Sequence, residues 1–512
     1  EQKINPSKVQ VCTFHALGLL ILKENFSFFS RKQGFSIIDA DDKIDILKAL
    51  LDCGQRSCKT VTAKIEAYKQ GRLSEDGYKD ISSVLERYEA QLRQMNAFDL
   101  DDLIHLPVML LKEHKEILKT FQSCFPWILV DEYQDINARQ YELVRLLAGE
   151  GKPNLFVIGD PDQAIYGFRG ADICFIDKLK SDYPDMTTIC LKKSYRCPEN
   201  VLKIAGQALD KNEFLQGRPD DIKIGIHTCP TAKSESDYIA SKIEVLMGGV
   251  RSFSMDSGIS DGQAAQGIES FSDIAVLCRT TSLFEPFIQA FNNHGIAYQV
   301  VGSAPFYTKK PFAALIKKAR NIFYPRAPEE SDVGRQIHEK FQEGVCLTDI
   351  LGLLSKDAKL NIQEQRALER LAGPYGVDYE HFFQDLILRQ GSDDFDTRAE
   401  AVSLMTIHAA KGLEFKAVFI PACEKRVIPW ELFGPASPAE LAEEERLFYV
   451  AVTRTQKYLF ITHSKKRIMY GRLMEQQRSP LLDRLEKGLL SLGQRKIEKT
   501  NKEADSGQMS LF

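Results

Sequence analysis

The chain has 512 residues, with 67 Lys+Arg against 71 Asp+Glu, a formal net charge of −4 and 44% hydrophobic residues. At roughly 150 residues per domain this length suits three or four domains. The composition excludes wholesale disorder, and the charge excludes a histone-like polycation while leaving room for a basic groove on an acidic body. No apolar run reaches about 18 residues, so no membrane-spanning helix is predicted. Lys3 and Lys8 ahead of the apolar stretch 11–22 superficially resemble a signal peptide. Thr13 and His15 interrupt that stretch and no small-x-small cleavage site follows it. The 11 cysteines are scattered without a Cys-x-x-Cys pair, which reads as thiols in a reducing cytoplasm and not as a zinc site.

Residues 16–98 read as helices, with Ile44, Leu47, Leu50 and Leu51, and then Val84, Leu85, Tyr88 and Leu92, at helical spacing. The pattern then changes. Three short apolar runs, 127–130, 155–158 and 187–191, each read as a strand, separated by helical stretches. A second such region follows, with strands expected at 222–227, 274–278, 297–301, 401–407, 417–420 and 458–462. Residues 312–398 are helical and charged and read as an insertion, 247–271 as a polar loop, and 485–507 as a flexible tail. The alternation of strands and helices predicts an α/β fold with parallel sheets.

Several segments carry chemistry. The apolar run 128–130 delivers two adjacent carboxylates, Asp131 and Glu132, where open α/β sheets bind ligands. One can hold Mg²⁺ through its water shell while the next polarises an attacking water. An acidic strand end also serves helix capping, so this segment alone leaves both readings open. The run 157–158 leads into Gln163, an amide able to sense a phosphate, and into Tyr166, Phe168 and Arg169, the parts of a base-stacking platform or of a core. Cations follow at Arg196 and Arg454, whose fixed forks suit a transferring phosphoryl group or a salt bridge.

Taken in order, these segments resemble the superfamily 1 DNA helicases of the UvrD/Rep/PcrA type. The resemblance rests on Val11-Cys12-Thr13-Phe14-His15-Ala16-Leu17-Gly18, Phe98-Asp99-Leu100-Asp101-Asp102-Leu103 and Ile128-Leu129-Val130-Asp131-Glu132-Tyr133-Gln134-Asp135. It continues through 157–171, Tyr195-Arg196, Ala275-Val276-Leu277-Cys278-Arg279, 405–415 and 445–457. It implies two RecA-like parallel-sheet domains, each with a helical insertion. The first would be formed by 1–20 and 98–190 with 21–97 inserted. The second would be formed by 191–311 and 399–480 with the short insertion 312–398, followed by a flexible tail at 481–512. It further implies ATP and Mg²⁺ as cofactors, with Asp131 on the metal, Glu132 activating water, Gln163 sensing the γ-phosphate and Arg196 and Arg454 as arginine fingers. Tyr195 would stack on adenine, and Gly412 and Glu414 would lie by the sugar and phosphates. Thr13, Phe14, His15, Tyr166, Phe168, Arg169, Thr406 and His408 would face single-stranded DNA, along which the motor would move 3′ to 5′ while unwinding duplex DNA in repair or replication. A cytoplasmic, nucleoid-associated enzyme is the implied setting, and an RNA helicase is the less favoured variant.

The sequence departs from that pattern in one place. No Gly-x-x-x-x-Gly-Lys-[Ser/Thr] phosphate loop is found, and the nearest lookalike, at 54–60, lies in a helical stretch. The gap falls at the N-terminal edge of a chain that begins with Glu1, so truncation is expected in preference to a natural ATPase-dead form. Weak ATP hydrolysis by these 512 residues is the corollary, and a non-catalytic DNA-binding or clamp-docking protein is the alternative. Lys309, Lys310, Lys317, Lys318 and Arg320 are candidates for duplex DNA or for a solvated helix face. The end of the chain, Gln508-Met509-Ser510-Leu511-Phe512, resembles the bacterial sliding-clamp-binding pentapeptide, with Leu511 and Phe512 for a greasy pocket and Gln508 for its rim.

Overall fold

The computed structural model describes residues 9–51, 55–219, 222, 224–248, 265–302, 305–325, 331–358, 360–389 and 395–493. The chain divides into two units, residues 1–190 with 302–396, and residues 191–301 with 397–512.

Four short strands order the first unit. β1 (Ser36–Ile38) pairs parallel with β2 (Ala97–Asp99), and β3 (Ile128–Val130) pairs parallel with β4 (Leu155–Val157). The helices around them start where the sequence supplies caps. Ser74 Oγ accepts from Gly77 N and opens the helix Glu75–Gln94, whose Ile81, Leu85, Tyr88 and Leu92 are buried in one stripe. Asn137 and Gln140 form a reciprocal capping box that opens Ala138–Ala148, and Gly149 ends it. The lookalike phosphate loop is indeed helical from Gln55, the first residue of the helix Gln55–Lys69.

The expectation of a third strand at 187–191 is corrected. That segment has no strand structure, and its Ile189 and Leu191 are exposed. Among the described residues β3 and β4 bond only one another, so the segment has no adjoining strand to pair with. The β3–β4 pair is also covered on one face only. Val130 packs into a core with Tyr133, Tyr141 and Phe175, while Leu129 and Phe156 stand 74% and 56% exposed on the other face.

The five helices between Phe312 and Leu388 bury a core of their own that includes Leu315, Ile337, Leu351, Leu368 and Phe382. Their chain leaves and re-enters the second unit's sheet, yet they belong to the first unit. Lys317 Nζ lies 2.8 Å from Asp42 Oδ1 and 3.2 Å from Asp45, and buried Arg320 bonds Asp39 at 3.0 Å and also Asp42. Ile387 and Leu388 pack on Leu19, Leu22 and Phe98. Two of the cations considered for duplex DNA, Lys317 and Arg320, are therefore paired with carboxylates of the first unit, Arg320 in a buried position.

His105 illustrates the cost of burial in this unit. Its Nδ1 is buried without a partner among the described residues, and burial, reinforced by Arg139 and Lys69, pushes its pKa down to about 3. The unfolded imidazole titrates near 6.5. The depressed value therefore contributes stability fully above about pH 6.5, lost as pH falls toward the folded value at up to ~1.4 kcal/mol per pH unit. Denaturant titrations at pH 7 and pH 5 should show a flatter pH dependence for His105→Met than for the native protein. Equal slopes would exclude His105 as the source.

The second unit is built on one large sheet. β5 (Lys193–Pro198) pairs with β6 (Gln216–Arg218) apart from it. The sheet itself holds β7 (Ile224–Thr231), β8 (Ile274–Cys278), β9 (Tyr298–Val301), β10 (Val402–Thr406), β11 (Phe415–Ile420), β12 (Thr455–Met469), β13 (Arg472–Glu475) and β14 (Leu490–Gly493). Its order is β14-β7-β12-β11-β8-β10-β9, all parallel, with β13 antiparallel on β12. β8, β10 and β11 are almost wholly buried, as both-face coverage requires. The mixed α/β architecture is the expected one. The flexible tail expected from 481 is corrected over 481–493: short helical turns at Pro480–Arg484 and Lys487–Leu489 lead into β14, which joins the sheet beside β7. The loop expected at 247–271 lies mostly outside the described residues, as do Gln508, Leu511 and Phe512.

Candidate nucleotide and DNA site

In the first unit the two strand ends meet through one side chain. β3 ends at buried Val130, and Asp131 and Glu132 follow in solvent. Glu132 adopts a left-handed backbone, φ 51°, a strained conformation for a non-glycine residue that recurs at functional positions. Gln134, only 1% exposed, donates from Nε2 to Glu132 Oε2 at 2.5 Å and accepts at Oε1 from Asp160 N at 3.0 Å. Asp160 Oδ2 in turn accepts from Gln163 Nε2 at 2.7 Å. A relay of Glu132, Gln134, Asp160 and Gln163 thus joins the carboxylate after β3 to the amide after β4. Gly159 makes room for it, since a Cβ there would sit 2.8 Å from Gln134 Oε1. The order of residues left Gln134 and Asp160 without a role, although a Gln two residues past the carboxylate and a Gly at the neighbouring strand end were the available signals. Gly159→Ala should displace the Gln134 amide and cost about 1–3 kcal/mol of stability. Urea denaturation measures this, and an unchanged midpoint would contradict it.

The residues proposed to face DNA divide by environment. Thr13 is the N-cap of the helix Phe14–Asn25, its Oγ1 accepting from Ala16 N at 3.2 Å. Phe14 is half-buried against the cores on either side, and burial lowers the pKa of His15. Tyr166, Phe168 and Arg169 form a platform: the Arg169 guanidinium lies 5.2 Å from the Tyr166 ring centroid and 5.6 Å from that of Phe168. Phe168 is largely exposed.

The second unit holds the other candidates. Tyr195 is 78% exposed, with Lys193 Nζ 5.0 Å over its ring. Arg196 Nε pairs with Glu414, whose Oε1 also accepts from Gln456 Nε2 at 2.8 Å. Gly412 has φ 83°, which only glycine adopts without strain. Thr406 Oγ1 accepts from Ala409 N at 3.3 Å and His408 is half-buried. Arg454 caps the helix Pro438–Thr453 and is 1% exposed. Its guanidinium donates to Val450 O at 3.0 Å, Leu413 O at 3.2 Å and Thr453 Oγ1 at 3.2 Å. Sequence reasoning quoted Arg279 but gave it no role. It forks onto Glu444, at 3.0 Å from Nε to Oε2 and 2.5 Å from Nη2 to Oε1, and Trp430 N donates to the same carboxylate at 2.9 Å.

Residues 2–184 match the UvrD/REP helicase N-terminal domain, and residues 189–327 with 361–466 match the UvrD-like helicase C-terminal domain. The chain belongs to the UvrD-like helicase family. The mixed α/β architecture with its large parallel sheet is that of the RecA-like domains of UvrD-like helicases. Curated relatives include the ATP-dependent DNA helicase PcrA of Staphylococcus epidermidis strain RP62A, 28% identical over 580 residues, covering 94% of this chain and 76% of that protein. The PcrA of Bacillus subtilis strain 168 is 27% identical over 563 residues, covering 91% of this chain and 74% of that protein.

Proposed function

We propose that this UvrD-like chain is an ATP-dependent DNA helicase or translocase that moves 3′ to 5′ on single-stranded DNA and unwinds duplex DNA in repair or replication. The relay from Glu132 through Gln134 and Asp160 to Gln163 carries the reading, because it ties a water-activating carboxylate to an amide suited to a terminal phosphate. Glu132 takes the proton of the attacking water. Arg196 and Arg454 supply guanidinium charge to the phosphoryl oxygens, which requires Arg196 to leave Glu414 and Arg454 to leave its carbonyl partners. Tyr195 stacks on the base, with Gly412 and Glu414 by the sugar and phosphates. Asp131 fits Mg²⁺ held mainly by phosphate and water. It is exposed, one of its oxygens accepts from Glu132 N at 2.9 Å, and among the described residues no three acidic, His or Cys side chains form an all-protein cage. That ion would neutralise developing phosphate charge. Thr13, Phe14, His15, Tyr166, Phe168, Arg169, Thr406 and His408 serve the DNA strand, the exposed rings by stacking.

The 512 residues contain no Gly-x-x-x-x-Gly-Lys-[Ser/Thr]. The backbone N–H groups and lysine that cradle phosphates are therefore not supplied by that motif, and the chain turns over ATP slowly. Phosphate release with single-stranded DNA should be a small fraction of that of a complete helicase, and Glu132→Gln should remove what remains. Fast DNA-stimulated release would overturn the first expectation, and indifference to Glu132→Gln the second. Strand displacement on matched DNA and RNA duplexes tests the choice of nucleic acid. Gln508, Leu511 and Phe512 dock the chain on a sliding clamp. Calorimetric titration of the clamp should lose its signal when 508–512 are deleted, and an unchanged affinity would reject the contact.

A further inference from the structure

The helix Gln55–Lys69 ends in a turn that fixes the next two side chains. Gly71 N donates to Tyr68 O at 2.9 Å and Arg72 N to Ala67 O at 2.8 Å, with Gly71 at φ 75°. This is the paired bond pattern of a Schellman cap, and it makes Arg72 part of a rigid helix end and not of a loose loop.

The guanidinium of Arg72 is held twice over. Gln70 Oε1 accepts from its Nε at 3.2 Å and its Nη2 at 2.7 Å. The Gln70 amide cannot turn away, because its own Nε2 donates to Asp101 Oδ1 at 3.0 Å. On the other side the fork lies against the backbone of Gly170, where a Cβ would come within 2.5 Å of Arg72 Nε. Gly170 caps the turn Gly167–Arg169 that carries Phe168 and Arg169. An arginine of the helical insertion is thereby pinned beside the aromatic platform.

Its electrostatic situation differs from that of the better-buried arginines. Arg139, also beside Gly71, pairs with Glu142 at 2.7 Å, and Arg279, Arg320 and Arg467 all fork onto carboxylates. Arg72 is exposed, and among the described residues it has no carboxylate partner and its Nη1 makes no hydrogen bond. A neutral amide orients the charge without cancelling it. A preorganised guanidinium with an uncompensated charge beside base-stacking rings suits a phosphate, which its planar fork can engage through two donors.

We propose that Arg72 is a DNA-backbone contact, gripping a phosphate of the single strand whose bases stack on Phe168 and Tyr166, so that the helical insertion of the first unit takes part directly in strand binding. This rests on the proposed DNA face. The occupant is single-stranded nucleic acid recognised through its phosphates, without sequence preference.

The test is fluorescence anisotropy of the full chain, without nucleotide, on fluorescein-labelled oligothymidine across a salt series. Arg72→Ala should weaken binding roughly three- to tenfold at low salt. It should also lower the slope of log affinity against log salt by about 0.7, the value for one lost phosphate contact on a single strand. Arg72→Lys should keep most of that slope. Phe168→Ala reports separately on the platform, and should weaken binding with little change in slope. Native affinity and slope in Arg72→Ala, with Phe168→Ala weakened, would overturn the Arg72 contact and leave the DNA face standing. Weaker binding by Arg72→Ala at an unchanged slope would also overturn it, since that marks packing against Gly170 and not charge. If both variants bind like the native chain, the DNA face itself is wrong. A slope loss in Arg72→Ala beside an unaffected Phe168→Ala supports the phosphate contact and removes stacking on Phe168.

Discussion

Lys69→Met should destabilise the first unit by about 3–5 kcal/mol at pH 7, the range for removing one partner of a buried ion pair. Lys69 is fully buried and its Nζ lies 2.9 Å from Asp99, 2.6 Å from Asp102 and 2.6 Å from Glu89. Asp99 and Asp102 are themselves locked together, each accepting the other's backbone N–H at 2.9–3.0 Å, so neither can turn to water. Burial opposes ionisation of Asp99, but Lys69 and Lys43 outweigh it and hold the carboxyl below the usual range. That depressed value contributes stability above the unfolded carboxylate range near pH 3.9, lost as pH falls through the folded value. Without the lysine charge the sign reverses. Burial and the Asp99 charge already hold Asp102 above the usual carboxylate range; without Lys69 burial and repulsion raise Asp99 as well and Asp102 further, so the variant loses stability as pH rises. The two trends converge on acidification, so the gap between native protein and variant should narrow from pH 7 to pH 4. Denaturant titrations at both pH values, with hydrogen exchange in the helix Glu75–Gln94 as the local reporter, measure this. A loss below 1 kcal/mol at pH 7, or a gap that widens in acid, would refute it.

This cluster shows what a linear reading catches and what it does not. The segment 98–103 stood out in the sequence because it matches the family pattern, and the helices before it because of their apolar spacing. Their mutual need was invisible, since the cation that neutralises Asp99 and Asp102 comes from position 69, and Tyr88 Oη adds a bond to Asp99 at 2.9 Å. Charges are legible as residue types, whereas their partners depend on tertiary contact. Lys317 and Arg320 make the same point. Read alone they could meet DNA, and their carboxylates stand more than 270 residues away.

Strands were legible where both faces are buried. β8 is a continuous apolar run, β10 and β11 are predominantly apolar, and all three fell within a residue or two of expectation. The run 187–191, β-branched and apolar, has no strand, because pairing is decided by a neighbour and not by hydrophobicity. β14 failed in the opposite sense. A segment of charged character counted as tail, yet four residues were enough to add to the exposed edge of β7. In the site, Asp131, Glu132 and Gln163 were legible as chemistry at strand ends. Gln134 was not, because its role lies in spanning two strands. Arg454 was legible as a helix-end cation, but its burial among carbonyls was not.

Arg467→Met should be the corresponding lesion in the second unit, again costing about 3–5 kcal/mol. Arg467 lies on β12 before the hairpin to β13 and is buried with two wholly buried glutamates. It donates from Nε to Glu424 Oε2 at 2.9 Å and from Nη2 to Glu424 Oε1 at 2.7 Å, and the same Nη2 reaches Glu235. The two carboxylates are otherwise satisfied by uncharged donors. Glu235 accepts from Ala422 N at 3.0 Å and Thr462 Oγ1 at 2.6 Å, and Glu424 accepts from Ser464 N and Oγ at 2.7 Å. Hydrogen bonds alone therefore remain after the substitution, and two negative charges face each other without a cation. Arg467→Lys should recover only part of the loss, because a point charge cannot fork onto two carboxylates. Adding Glu235→Gln to Arg467→Met should recover more than it costs in the native background, since it removes one of the two unpaired charges. The double-mutant cycle would then show a coupling energy of 0.5–3 kcal/mol, in the range for residues in direct contact. Additive losses would mean that Arg467 stabilises the strand through packing alone, and the ionic account of this core would have to be abandoned.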